Sequence, residues 1–175
     1  MNRYVISVLV DNHSGVLSRV AGLFSRRGYN IDSISVGETL DPTKSRMTIV
    51  AHGDDAIIEQ ITKQLSKLID VLKVAILPAE NSVYRELVLI KVRADDQTRA
   101  TISDVVDVFR AKIIDIAPQS VTVEITGDRP KIQALIDLLT PHGILEVART
   151  GLVGLHRGDQ NILTQEEVEN GKAVL

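Results

Sequence analysis

Apolar residues along this chain change their spacing in a fixed order, and the whole order occurs twice. Tyr4 to Val10 is an apolar run of strand length. Val16, Val20, Leu23 and Phe24 then recur at i, i+4, i+7 and i+8, the stripe of an amphipathic helix. Gly28 supplies the permissive residue expected just past a helix end. Ile31 to Val36 reads as a second strand, Gly37 to Lys44 as a long turn containing Asp41-Pro42, and Met47 to Ala51 as a third strand. Gly53-Asp54-Asp55 opens a second helix, whose stripe is Ile58, Ile61, Leu65, Leu68 and Leu72. Val71 to Leu77 closes the unit as a fourth strand, so the order is β-α-β-β-α-β, the split βαβ arrangement.

Pro78 to Ser82 has linker character, and the order then starts again. Glu86 to Val92 is a strand, Asp95-Asp96 a helix start, and Ile102, Val105, Val106 and Phe109 form the stripe. Lys112 to Ile116 follows as a strand. Val121, Val123 and Ile125 alternate with Thr122, Glu124 and Thr126, the mark of a strand with one buried face. Asp128-Arg129-Pro130 starts the last helix, where proline is tolerated in the first turn. Ile132, Leu135, Ile136 and Leu139 line that helix, and Ile144 to Ala148 is an eighth strand. The only two phenylalanines, Phe24 and Phe109, sit late in the first helix of each unit, each seven residues before an isoleucine, Ile31 or Ile116. The expectation is an α+β protein of two ferredoxin-like βαββαβ domains, residues 1–77 and 85–159, joined by a linker at 78–84 and followed by a tail at 160–175. A four-stranded sheet with both helices on one side leaves its other face or its edges to be covered, so dimerisation is expected. A fragment ending near Leu77 is expected to bury its own core and to dimerise alone.

The segment with most chemical content is Asp11-Asn12-His13-Ser14-Gly15, between the first strand and the first helix. A turn of Asn, Ser and Gly presents free backbone N–H groups at the positive end of a helix, where a small carboxylate can be held without a catalytic side chain. The same residues could equally form a plain helix cap, with Ser14 or Asn12 satisfying its own backbone.

Other chemistry is sparse. The chain of 175 residues has 44% hydrophobic and 25% charged residues, the balance of a soluble globular protein. It contains no cysteine, which removes disulfides, thiolate metal sites and a cysteine nucleophile. No apolar run reaches the roughly 20 residues of a membrane span, and Met1-Asn2-Arg3 leads directly into a strand, so a cytoplasmic protein is expected. The net charge of −3 disfavours nucleic-acid binding. Asp159, Glu166, Glu167 and Glu169 against Lys172 account for that charge, leaving the body near neutral. Arg19, Arg26 and Arg27 read as a solvated helix face. His13, His52, His142 and His156 are scattered singly, in no metal-binding spacing. No nucleophile elbow, P-loop or dinucleotide fingerprint is present, and Asp54-Asp55 and Asp95-Asp96 read as helix caps.

The stretch from Asp11 through Val20, continuing as Gly22-Leu23-Phe24-Ser25-Arg26-Arg27-Gly28-Tyr29-Asn30-Ile31, resembles the N-terminal ACT domain of the small, regulatory subunits of acetohydroxyacid synthase (acetolactate synthase). Asp41 to Thr48, Gln64 to Val71 and Ala148 to Gly158 resemble that family specifically, and the resemblance spans roughly residues 2–159. It implies a partner without catalytic residues of its own. Thiamine diphosphate, FAD and Mg belong to the large catalytic subunit, whose activity the small subunit raises and makes sensitive to feedback inhibition by valine or a related branched-chain amino acid. It further implies a homodimer in which the effector touches the first strand–helix loop of one protomer and the start of the second strand of the other. Matched to this sequence, the effector-binding residues are Asn12, Gly15, Val16 and Leu17 in the loop and Asn30 and Ile31 in the strand. His13 is expected to face solvent without a role.

Overall fold

In the computed structural model the described residues are 2–163, so most of the tail at 160–175 lies outside them. They form two units, residues 2–83 with 152–163, and residues 84–151. The first comprises β1 (Asn2–Asp11), α1 (Val16–Arg27), β2 (Ile31–Glu38), β3 (Lys44–Gly53), α2 (Asp55–Leu65) and β4 (Val71–Ile76). Its sheet runs β2-β3-β1-β4, every pair antiparallel. The second repeats the pattern with β5 (Ser82–Arg93), α3 (Arg99–Val108), β6 (Lys112–Ala117), β7 (Ser120–Gly127), α4 (Arg129–Leu139) and β8 (Ile144–Arg149), in sheet order β6-β7-β5-β8. The expected α+β architecture of two βαββαβ units is present.

Each core follows from the two periodicities. In the first unit Ile6, Val8, Val10, Met47, Ile49 and Ala51 alternate onto one sheet face and meet Val16, Val20 and Phe24 of α1 and Ile58, Ile61 and Leu65 of α2. In the second, Val88, Ile90 and Val92 share their face with Val121, Val123 and Ile125 and are covered by Ile102, Val106, Ile132 and Leu135. Asp54 caps α2 through Ile57 N–H at 2.8 Å, and Asp128 caps α4 through Lys131 N–H at 3.0 Å.

Three expectations change. α2 ends at Leu65, so Leu68 lies in the following turn and Leu72 on β4; an apolar spacing that continues through a turn mimics a longer stripe. α3 begins at Arg99, because Asp95 caps a preceding turn rather than the helix itself. The largest difference is β9 (Val153–His156), which the residue pattern did not announce. Residues 152–159, expected within the second domain, and 160–163, expected in the tail, group with the first unit. β9 lies against β1, Ser35 Oγ donates to Leu152 O at 2.8 Å, and Arg157 N–H donates to Asn81 O at 2.8 Å. The segment therefore covers the sheet face opposite the helices. On that face Val5, Ser7, Leu9, Thr48 and Val50 are all buried, as are Leu152 and Ile162.

Candidate functional site

The turn that leaves β1 is fastened by its neighbours. Asp11 N–H donates to Asp70 O at 2.9 Å, and Asn12 N–H donates to Thr43 O at 2.7 Å. The Asn12 amide donates to Pro42 O at 2.9 Å and to Glu38 Oε1 at 3.2 Å. Asn12 is thereby a strut between the turn and the β2–β3 connection, and its side chain does not cap the helix. That connection is itself well tied. Asp41 accepts from the hydroxyl of Thr43 and from its backbone N–H, and pairs with Lys44; these contacts hold its carboxyl down at about 2.

Gly15 sits at the N-cap of α1 with φ +88°, and no side chain caps the helix. The αL conformation favours glycine, and the helix-start N–H groups are left without a capping carboxylate or hydroxyl. The plain-cap reading of Asn12 and Ser14 therefore does not hold. The second unit shows what a closed version looks like. There Arg93 N–H donates to Gly143 O at 3.0 Å and Ala94 N–H to Gln119 O at 3.1 Å, the same two ties as at Asp11 and Asn12. Asp95 then accepts from Gln97 N–H at 3.0 Å and from Thr98 N–H at 2.8 Å. The equivalent turn of the second unit carries its own carboxylate; that of the first has none.

Of the effector residues expected from sequence, Val16 is buried in the core and Leu17 is half exposed beside Gly15. Asn30 is exposed and donates to Asp32 Oδ1 at 3.2 Å, while Ile31 starts β2. One chain does not bring these residues together. Ile31 pairs with Ala51, which pairs with Tyr4, so Ile31 is level with the beginning of β1. The Asn12–Leu17 turn follows the other end, seven residues along the strand, about 24 Å away at roughly 3.4 Å per residue.

Sequence reasoning missed a cluster under the turn. Asp70, in the α2–β4 connection, has a side chain only 8% exposed; its Oδ2 accepts from Arg19 Nε at 2.5 Å and its Oδ1 lies 3.0 Å from His13 Nε2. The hydrogen bond from Arg19 is the main reason its carboxyl is held below the ordinary carboxylate range, with the charges of Arg19 and His13 adding to it. Arg19 is thus more than a solvated helix face, and His13 has a partner. The signal was hidden because Arg19 and Asp70 are 51 residues apart. Among the described residues no group of His, Asp and Glu is placed to hold a metal ion, and no helix is long and apolar enough to cross a membrane. The chemistry available at the turn is anion binding by backbone N–H groups beside an arginine.

Comparison with known proteins gives the same outline. Residues 6–73 match the model of the AHAS small subunit-like ACT domain, and residues 85–158 match that of the small subunit of acetolactate synthase. The chain is 52% identical over 161 residues to the acetolactate synthase small subunit of Mycobacterium bovis, covering 92% of this chain and 96% of that one. It is 48% identical over 162 residues to the Haemophilus influenzae small subunit, covering 92% and 99%. The crystal structure of the acetolactate synthase small subunit from Thermotoga maritima superposes with a TM-score of 0.84 at 46% identity, covering 91% of this chain and all of that one. With both of its units matched and its fold reproduced, the chain belongs to the acetolactate synthase small-subunit family.

Proposed function

We propose that this chain is the regulatory subunit of acetohydroxyacid synthase in branched-chain amino-acid biosynthesis. It binds the large catalytic subunit in the cytoplasm, raises its activity and confers feedback inhibition by valine or a related branched-chain amino acid. Thiamine diphosphate, FAD and Mg reside in the catalytic subunit, and the reading assigns no catalytic residue to this chain. The observation that carries the effector site is the start of α1 at Gly15, which has positive φ and no side-chain cap and follows a turn with no carboxylate folded onto it as Asp95 folds onto Gln97 and Thr98. The helix-start N–H groups receive the effector's carboxylate, with Asn12 holding the turn in place. Leu17, half exposed, offers apolar contact to a branched side chain, while Val16, buried in the core, takes part through its backbone N–H. Asn30 and Ile31 join the site from a second copy, because within one chain they lie at the other end of the sheet. The effector is therefore bound by a homodimer.

Isothermal titration of the purified chain with a panel of amino acids tests this. Valine, leucine or isoleucine is expected to bind with a dissociation constant below 1 mM, better than about −4 kcal/mol, while alanine and aspartate bind at least tenfold more weakly. Sedimentation should show a dimer that the ligand tightens. No preference for branched side chains, or binding by a monomer with unchanged affinity, would contradict the proposal.

A further inference from the structure

Arg19 is held in an unusual way for a residue on the first turns of a surface helix. Its Nε is taken by the buried Asp70 carboxylate at 2.5 Å. A fork–fork pair with a carboxylate engages two nitrogens of the guanidinium; here the bond runs through Nε. The terminal nitrogens then lie beside Gly15. A Cβ built on Gly15 would stand 3.3 Å from Nη1 and 4.0 Å from Nη2. The guanidinium, half exposed, thus lies beside Gly15, the residue at which α1 starts. A cation near a helix N-terminus is disfavoured by the helix dipole, so an arginine placed there gains from an anion that neutralises both.

Asp70 itself is positioned from several directions. Its backbone carbonyl accepts from Asp11 N–H at 2.9 Å, its second carboxylate oxygen lies 3.0 Å from His13 Nε2, and it is 6% exposed overall. The α2–β4 connection therefore fixes both the backbone of the turn and the cation next to it.

We propose that Arg19 is a binding residue of the effector site, receiving the carboxylate of the amino acid through its terminal nitrogens, and that Asp70 is the positioning residue that aims it. This rests on the effector reading above and adds to it a charged side chain that the loop motif does not name. It implies that the turn discriminates a carboxylate from an uncharged ligand end more strongly than backbone N–H groups alone would.

The test compares valine with valinamide, which lacks the carboxylate, by calorimetry on the full chain. For wild type, valine is expected to bind at least tenfold more tightly than valinamide. Arg19→Ala, on a half-exposed side chain, should weaken valine at least tenfold and leave valinamide within about twofold, so that the preference collapses. Asp70→Asn should weaken valine in the same direction. The double variant should be no worse than Arg19→Ala alone, because both changes remove one arrangement. Arg19→Lys should recover part of the preference, since it keeps the charge but loses the fork. A loss of both ligands alike in Arg19→Ala would mark a structural role and overturn the proposal, as would an unchanged preference. Failure of the wild-type chain to bind any branched-chain amino acid would overturn the effector reading together with this one.

Discussion

Gly15→Asp is expected to weaken effector binding by 30-fold to 1000-fold while leaving the chain folded. Two effects act together. Gly15 has φ +88°, where a Cβ is strained, although Asp is among the residues that visit this region most readily, so the turn survives. The new Cβ would stand 3.3 Å from Arg19 Nη1, which places the added carboxylate beside the arginine and the helix-start N–H groups. A second negative charge about 4 Å away costs about 4 kcal/mol at an effective dielectric constant of about 20, less with screening, and 2–4 kcal/mol corresponds to the range given. Titration of valine into the variant, with circular dichroism to confirm the fold, checks this. An affinity within threefold of wild type would place the effector elsewhere.

Leu152→Asp is expected to lower stability by about 3–5 kcal/mol, the range for losing a buried apolar side chain and burying an unpaired charge. Leu152 is 3% exposed and opens the segment that covers the free face of the first sheet, where Val5 and Leu9 are 5% and 2% exposed. The same face limits what a fragment can do. A chain cut near Leu77 lacks residues 152–163, so it would display Val5, Leu9 and Val50 to water. The sequence-based expectation of a self-sufficient first unit is therefore revised: such a fragment is expected to be less stable than the whole chain and to associate further through this face. Urea unfolding of the variant and sedimentation of the fragment decide it. A variant within 1 kcal/mol of wild type, or a fragment with the denaturation midpoint of the full chain, would show that the segment is an accessory and not a cover.

How far the fold is legible in the sequence alone follows from which signals are local. Helix stripes such as Val16-Val20-Leu23-Phe24 and the one-sided alternation at Val121-Val123-Ile125 depend only on neighbours in sequence, and both elements are where the spacing puts them. Caps are local too, so Asp54 and Asp128 were legible. β9 was not, because Leu152 to His156 is short, carries Gly154 and pairs with a distant strand. A clue did exist: Tyr4 to Val10 is apolar on both faces, the mark of a strand buried on both sides, and a cover for the second face was implied. The turn at Asp11–Gly15 was legible either as an anion site or as a plain helix cap, and the lack of a side-chain cap at Gly15 removes the second reading. The His13–Asp70–Arg19 cluster was invisible because Asp70 lies 51 residues beyond Arg19 in the sequence.

The proposed function has this chain act on a catalytic partner in response to a branched-chain amino acid. Acetolactate formation by the cognate large subunit, measured with and without this chain and with and without valine, tests it most directly. Expected are no product from this chain alone, a several-fold rise when it is added to the large subunit, and loss of that rise when valine is added. Turnover by the chain alone, or a rate that neither the chain nor valine changes, would contradict it.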